Sequence, residues 1–458
     1  MAASADLPAH KLASRGAAVV GRIDPRPFTM VPLAIAVGVI TGFGGVFFRW
    51  LITCFTRIFT GYDDYSGLGR VASTHWPALG IWFLLFTPVI AGALYGPLVS
   101  RFAPEARGVG VPEVIYAETE GGGRIRPRVT VVKAFASALC IGGGGSVGRE
   151  GPIIQIGAGV GSAIAQLARL DTGSVRLLVA GGVAGGISAT FNAPLAGPIF
   201  AMEVILRNVT GRAFGVPALA SVAATAIGRV FFGNAPFFDL PAFTVKRPVE
   251  YLLYALLGLT VGAVGVGFSK LLYFVGDICD WAWRGPQWAR PAVGGVLLGG
   301  VLLALPEMYG VGYPVLKNAV LGHYALAMLL VLMLGKMFAT SLTIGIGGSG
   351  GIFAPSLFIG AMAGAGFGTA INYVFDAEQP GMYALVGMAA ALAGATRAPV
   401  TAVIIIFELT GEYTLVLALM TAVAIATGVS RLISRDTIYS QKLLRRGLDI
   451  EHRAVDPL

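Results

Sequence analysis

One carboxylate stands inside a glycine-rich apolar segment of the sequence. Glu150 follows Gly145-Ser146-Val147-Gly148 and precedes Pro152, and proline is favoured in the first turn of a helix. We therefore predict a helix that begins inside a membrane. A helix N-terminus exposes unpaired N–H groups and carries about half a positive charge, so it can bind an anion. Glu150 would compete with that anion until protonated, which predicts a gate and a proton carrier; the alternative is that it only caps its helix.

The same glycine-rich pattern occurs again about 203 residues later. GSVGREGPIIQIGA, from Gly145, matches GSGGIFAPSLFIGA, from Gly348, and each copy is followed by an Ala-Pro pair and then by a glutamate, Glu203 or Glu408. Transporters built from two such repeats place their site where half-helix N-termini converge. We divide the chain into an N-terminal tail (1–29), a first membrane repeat (30–232), a connecting loop (233–247), a second membrane repeat (248–446) and a C-terminal tail (447–458).

Other kinds of chemistry have little support in the sequence. Gly143, Gly145 and Gly148 fit a G-x-G-x-x-G pattern, but no strand precedes them, as nucleotide binding would require. Ser349 lies in a G-x-S-G sequence, yet the only later histidine, His452, is in the polar tail, which argues against an intramembrane protease. The histidines and cysteines lack metal-ligand and disulfide spacings, and the cysteines are expected to be buried. We expect no enzyme activity, metal, cofactor, nucleotide or nucleic acid.

The elements that must position these residues are membrane helices. Of 458 residues, 55% are hydrophobic, 12% are charged and 65 are glycine, which excludes an ordinary soluble domain. Roughly 20 apolar residues span a bilayer. Candidate spans are 30–52, 77–101, 248–275, 289–305, 325–344 and 414–430. Shorter apolar segments, interrupted by Gly or Pro as half-helices are, run over 127–142, 150–167, 176–191, 193–206, 351–374, 381–395 and 397–409.

Charge and small residues refine this interpretation. The net charge of +9 is typical of basic cytoplasmic ends and loops. The first 29 residues are basic and lack the apolar region of a secretory signal, so we expect a cytoplasmic tail. Pairs of glycines four residues apart let helix backbones approach closely. Such pairs are Gly38/Gly42, Gly157/Gly161 and Gly364/Gly368.

With these motifs assembled, the sequence resembles the CLC family of chloride channels and proton/chloride antiporters from about residue 30 to 446. The matching segments are GSVGREGP from Gly145, GIFAP from Gly351, FNAPLAG from Phe191, GVGVPE from Gly108 and IYS around Tyr439. The resemblance implies an all-α polytopic membrane protein with two inverted repeats of tilted, broken helices. It also implies a homodimer with one pore per subunit and cytoplasmic termini. Since only 19 residues follow Tyr439, the prokaryotic plan without nucleotide-sensing CBS domains is expected.

The resemblance also implies a set of anion-binding residues. Chloride would be coordinated by backbone amides and by one tyrosine hydroxyl, and Glu150 would be the gating glutamate. The implied ligands are Arg149, Glu150, Gly151, Ile352, Phe353 and Tyr439, with Gly108 and Val109 at the central site. A lysine that family members bury corresponds to Lys133, for which we expect a carboxylate partner.

Two positions depart from the family pattern. Val109 replaces a serine that supplies a hydroxyl to the central ion, so weaker or differently selective binding is expected there. Val204 replaces the glutamate that relays protons from the cytoplasm in coupled members, and Glu203 or Glu113 are the candidate substitutes, although Glu203 could instead form a hydrogen bond or ion pair at a helix end.

Val204 favours passive or weakly proton-coupled chloride transport in a bacterial inner membrane. The alternatives are strict proton/chloride exchange and, in another class, a structural or regulatory membrane protein that transports nothing. Selectivity among chloride, nitrate, bromide and fluoride stays open, because all four anions would meet the same amides.

Overall fold

The computed structural model describes residues 27–236, 238, 249–373 and 380–450. Most of the two predicted tails and much of the connecting loop therefore lie outside the described residues. Within these ranges the regular elements are helices, and eight helices are long and apolar enough to cross a membrane. The chain is thus an all-α polytopic membrane protein, as its composition predicts.

Eight α-helices make up the first half of the chain. They are α1 (Pro27–Thr60), α2 (Phe83–Phe102), α3 (Val111–Thr119), α4 (Pro127–Gly142), α5 (Glu150–Leu167), α6 (Thr172–Phe191), α7 (Ala196–Phe200) and α8 (Gly211–Phe232). A π-helical segment, Ala201–Leu206, extends α7, and a 3-10 turn, Pro104–Ala106, follows α2.

The second half repeats this order of helices. They are α9 (Glu250–Ala282), α10 (Arg290–Ala304), α11 (Tyr313–Val320), α12 (Leu326–Gly345), α13 (Phe353–Asn372), α14 (Pro380–Thr396), α15 (Pro399–Thr410) and α16 (Val416–Ile433). The 3-10 turn recurs after α10 as Pro306–Met308, and a short helix, α17 (Ser440–Leu444), closes the series. Helices α1 to α8 thus correspond in order to α9 to α16, while the exact boundaries of the two repeats stay a prediction.

The predicted segments agree with the helices at some places and fail at others. Helices α4 and α5 have the predicted bounds, 127–142 and 150–167. The segment 289–305 was expected to span a bilayer, but the helix there, α10, has only 15 residues, which is short of the roughly 20 that a bilayer requires. Helix α6, predicted over 176–191, begins earlier, at Thr172, and has 20 residues, while α13 has 20 residues inside its predicted segment, 351–374. Helix α8 was missed, since Gly215 and Pro217 interrupt its apolar pattern without ending the helix.

Glycines allow equivalent helix pairs in the two halves to pack closely. A Cβ at Gly157 on α5 would overlap the carbonyl oxygen of Gly182 on α6. A Cβ at Gly360 on α13 would likewise overlap the carbonyl oxygen of Gly387 on α14. A Cβ at any of the six glycines of the predicted small-residue pairs would come closer than 3.0 Å to an atom of another helix, which confirms their packing role. Of the cysteines, Cys140 is buried as expected, whereas Cys54 and Cys279 are only half-buried.

Candidate anion site

The N-termini of α5 and α13, one from each half, meet at the centre of the fold. The N–H of Gly148 donates to the carbonyl of Gly351 at 2.7 Å, and the N–H of Gly351 donates to the carbonyl of Gly148 at 2.6 Å. The loop before α3 joins them, because the N–H of Gly108 donates to the carbonyl of Gly348 at 3.0 Å. Reciprocal contacts are what a two-fold relation between the halves produces. The convergence predicted from the repeat is therefore present.

The amides predicted to bind an anion lie at these two helix ends. Arg149 and Ile352 are the N-cap residues of α5 and α13, while Glu150, Gly151 and Phe353 stand in their first turns. The first N–H groups of a helix have no intrahelical acceptor. Two such ends facing one another make a site for a negative charge without a cationic side chain.

The Glu150 carboxylate already lies on the opposing helix end. Its side chain is buried, and Oε2 accepts a hydrogen bond from the N–H of Ala354, in the first turn of α13, at 3.3 Å. Its Oε1 accepts a hydrogen bond from the Tyr313 hydroxyl at 2.6 Å. A negative group from one half thus rests on the helix N-terminus of the other half, where a mobile anion would be attracted.

Tyr439 reaches the same region from the C-terminal side. It is the N-cap residue of α17, is 2% exposed, and lies near enough to Glu150 to interact electrostatically. Its hydroxyl has no hydrogen-bond partner among the described residues. Leaving a buried hydroxyl unpaired costs about 1–3 kcal/mol, so an unpaired one suggests a ligand.

Val109 lies directly against the start of α5. The residue is buried, and a Cβ at Gly151 would overlap the Val109 carbonyl oxygen. The neighbouring Gly108 has a φ of +83°, a conformation that favours glycine. The valine side chain brings no polar atom to this place.

The expectation that Lys133 has a carboxylate partner was wrong. Its ammonium donates instead to the carbonyls of Ala106 and Gly108, at 3.0 and 2.8 Å, and Glu113 acts on it only through space. The repeat-related Lys336 donates in the same way to the carbonyl of Gly310 at 2.9 Å. Both lysines supply donors to carbonyls of glycine-containing loops, which lack a regular helical partner.

Glu113 ties α3 to α17. Its Oε1 accepts hydrogen bonds from Lys442 at 2.6 Å and from Arg446 at 3.1 Å, and its Oε2 accepts one from the N–H of Gly110 at 3.1 Å. Because Tyr439 caps α17, this cluster helps to fix the tyrosine beside the site.

Glu203 binds the N-terminus of a helix in the other half. Its Oε1 accepts from the N–H of Val400 at 3.1 Å, and its Oε2 accepts from the N–H and hydroxyl of Thr401 at 2.8 and 2.7 Å. Glu408 does the same in reverse, since it accepts from the N–H of Leu195 at 2.9 Å and from that of Ala196 at 2.7 Å. These reciprocal contacts provide the helix-end hydrogen bond that the sequence left as one interpretation of Glu203.

Two cavities approach the site. The first, of about 650 Å³, is bordered by Arg149 and Tyr313 and is called the Arg149 cavity. The second, of about 460 Å³, is bordered by Tyr439, Glu203 and Val204 and is called the Tyr439 cavity. Four arginines also line the Tyr439 cavity: Arg207, Arg397, Arg431 and Arg435. This wall attracts anions electrostatically.

Sequence reasoning missed Tyr313. A signal for it was present, because Gly108-Val109-Gly110-Val111-Pro112 recurs as Gly310-Val311-Gly312-Tyr313-Pro314. The first copy was singled out and its counterpart was not. In the structure the second copy places the tyrosine on Glu150.

Ser349 is held in a structural contact. Its hydroxyl donates to the carbonyl of Ala106 at 2.8 Å and lies 2.9 Å from the hydroxyl of Ser137. No cluster of three or more metal-ligating side chains occurs in the described part of the chain. The contacts between the start of α5 and the start of α13 are made by backbone amides and carbonyls and by the Glu150 carboxylate.

Comparison with known proteins assigns this arrangement to a family. The model of the voltage gated chloride channel family matches residues 91–431. The chain belongs to the CLC family. As a CLC protein it is an anion transporter of the membrane and not an enzyme.

Several CLC relatives align over nearly their whole length. The H(+)/Cl(-) exchange transporter ClcA of Vibrio cholerae is 34% identical over 433 residues, which cover 92% of this chain and 90% of the relative. ClcA of Cronobacter sakazakii is 33% identical over 448 residues, covering 94% and 93%. Among solved structures, a slow cyanobacterial Cl-/H+ antiporter superposes with a TM-score of 0.79 at 27% identity, covering 94% of this chain and 100% of that one. This likeness gives the chain the CLC fold.

Proposed function

We propose that this CLC protein exchanges chloride for protons, with Glu150 as the gate. The observation that carries the proposal is the Glu150 carboxylate, which lies on the N-terminus of α13. The relatives named above are H(+)/Cl(-) exchangers, which favours coupled exchange over the passive flux that Val204 alone suggested. A bacterial inner membrane is the proposed location, with both termini cytoplasmic.

Chloride binds where the two helix ends meet. The amides of Arg149, Glu150, Gly151, Ile352 and Phe353 surround it with partial positive charge, since they belong to helix N-termini. The Tyr439 hydroxyl, which has no partner within the described ranges, donates from the other side, and the backbone at Gly108 and Val109 closes the site. Amides and a hydroxyl hold the ion without trapping it, because conduction requires departure as well as entry.

Glu150 alternates with the anion at this position. While ionised, the carboxylate takes the place of the anion on α13 and closes the path from the Arg149 cavity. Protonation removes the charge of the carboxylate, so an arriving chloride displaces the side chain from α13. The proton moves away with the side chain. One group therefore gates the anion path and carries the proton.

The inner part of the proton route passes through the Tyr439 cavity. Val204 cannot relay a proton, but it borders this cavity together with Glu203, so water in the cavity can bring protons past the valine. Glu113 is the weaker candidate, because Lys442 and Arg446 hold one of its oxygens and the Gly110 amide holds the other.

We also propose a homodimer with one pore per subunit. A single chain supplies both helix ends, Glu150 and Tyr439, so each subunit contains a whole path. The resemblance to the family is the basis for the dimer itself.

Liposomes containing the wild type or Glu150→Ala test the function. Chloride efflux and external pH are recorded together after dilution into low chloride. We expect coupled chloride and proton movement in the wild type, and chloride efflux without proton movement in Glu150→Ala. Persistent proton coupling in the variant would contradict the role of Glu150, and wild-type liposomes that retain chloride would support the non-transporting alternative.

A further inference from the structure

Tyr313 contacts the gating carboxylate from the second half of the chain. Its hydroxyl donates to Oε1 of Glu150 at 2.6 Å, and Tyr313 itself borders the Arg149 cavity. A hydroxyl that donates to a carboxylate stabilises the ionised form more than the protonated form, because the charge strengthens the hydrogen bond.

The local backbone fixes this tyrosine firmly. Tyr313 is the first residue of α11, between Gly312, whose φ is +89°, and Pro314. The loop that leads into it is held by Lys336, which donates to the Gly310 carbonyl at 2.9 Å. The hydroxyl is therefore presented to Glu150 by rigid backbone and not by a mobile loop end.

The internal repeat indicates that the contact is specific to one side of the molecule. The repeat places Phe353 at the position of Glu150 and Val111 at the position of Tyr313. Phe353 and Val111 are both apolar. Glu150 and Tyr313, their counterparts on the side of the Arg149 cavity, are both polar. Of these two pairs of positions, the pair that contains the carboxylate is thus also the pair that contains the hydroxyl.

We propose that Tyr313 is a positioning residue that holds the ionised Glu150 carboxylate in its closed place on α13. The proposal rests on the proposed gating by Glu150 and adds the group that sets how easily the gate opens. With the hydroxyl present, chloride and protons must overcome one additional hydrogen bond to displace the carboxylate.

Other charged and titratable groups also face this pair. Arg149 lies with its guanidinium 5.0 Å from the centre of the Tyr313 ring, and Arg49 of α1 acts on both Arg149 and Tyr313. Lys336 of α12 and Tyr439 act on Glu150 through space. Replacing Tyr313 by phenylalanine leaves these charged groups in place and keeps the ring beside Arg149, so it removes only the hydroxyl and its contacts with Glu150 and Arg149.

The test is the pH dependence of chloride efflux from liposomes containing Tyr313→Phe. A hydrogen bond to a charged group corresponds to about one pH unit or more, so the pH of half-maximal efflux should rise by about one unit. Calorimetry should show chloride binding about tenfold tighter, because the competing carboxylate is held less firmly. Tyr309→Phe is the matched control, since it removes a buried hydroxyl that donates to the Gly142 carbonyl at 2.5 Å and does not contact Glu150.

Glu150 variants separate this proposal from the function on which it rests. If Glu150→Gln abolishes the pH dependence while Tyr313→Phe behaves as the wild type, the role of Tyr313 is refuted and the gate stands. If Glu150→Gln keeps the pH dependence, the gate itself fails. A pH shift equal in Tyr309→Phe and Tyr313→Phe would also overturn the proposal, as would an effect of Tyr313→Phe that persists in a Glu150→Ala background.

Discussion

At the scale of single residues, the site is built mainly from polar groups that carry no full charge. The Glu150 carboxylate lies on the opposing helix end, and the Tyr439 hydroxyl has no hydrogen-bond partner among the described residues. Lys133 and Lys336 are buried close by, but both ammonium groups are engaged by backbone carbonyls. In the proposed site the anion is therefore attracted by helix ends, while the lysines hold the surrounding loops through their carbonyls.

The valine at position 109 gives a prediction at this scale. Val109→Ser would add a hydroxyl beside Gly151, and hydrogen bonds to a charged group contribute about 1.5–3 kcal/mol, so chloride should bind at least about tenfold more tightly by calorimetry. Val109→Ala controls for the loss of side-chain volume and should leave the affinity near that of the wild type. Equal affinities for the serine and alanine variants would mean that the central ion does not use this position.

At the scale of elements, each half of the chain caps a helix of the other. Glu203 binds the N-terminus of α15, and Glu408 binds the N-terminus of α7. Carboxylates are favourable at helix N-termini because they pair with unsatisfied N–H groups and with the helix dipole. The two contacts therefore join the halves at symmetric points.

Because Glu203 and Glu408 make equivalent contacts, variants of the two can be compared. The comparison separates a structural role of Glu203 from a role in carrying protons. Glu203→Ala and Glu408→Ala should each destabilise the protein by about 0.5–2 kcal/mol, the usual cost of losing such a cap, in thermal unfolding followed in detergent. Only Glu203 borders the Tyr439 cavity, so only Glu203→Ala should also lower the number of protons moved per chloride. If both variants retain the wild-type ratio, Glu203 has no part in the proton route.

The sequence predicted those elements whose ends carry strong local signals. Proline and glycine mark both ends of α4 and the start of α5, and the predicted bounds of these helices were correct. Helix α8 was missed because Pro217 lies within it and is tolerated there. The partners of Lys133 and the contact of Tyr313 with Glu150 join positions far apart in the chain. Local patterns do not specify such contacts, although the repeated G-V-G-x-P segment could have drawn attention to Tyr313.

At the scale of the whole molecule, two related halves enclose one site between two cavities. The halves meet through reciprocal hydrogen bonds of Gly148 and Gly351, so the site lies on their approximate two-fold axis. The Arg149 cavity approaches it on the side of the gate, and the arginine-lined Tyr439 cavity approaches on the side of α17. Such an arrangement gives the proposed site access from both sides, and in the proposed mechanism the Glu150 carboxylate is the barrier between them.

Assembly gives a prediction for the whole protein. The purified protein should have twice the 47.4 kDa mass of one chain in light scattering corrected for detergent. Since each subunit holds a whole path, mixed dimers of wild type and Glu150→Ala should retain coupled flux from the wild-type subunit. A monomeric mass would refute the proposed dimer without affecting the site.

Proton movement driven by chloride tests the central claim most directly. Wild-type liposomes are loaded with chloride and a slightly more acidic interior, diluted into low chloride, and held at zero membrane potential with valinomycin and equal potassium. Exchange predicts that chloride efflux drives protons inward against their gradient, so the external pH rises as chloride leaves. Chloride efflux with an external pH that stays constant or falls would contradict the account, because the gate would then open without carrying a proton.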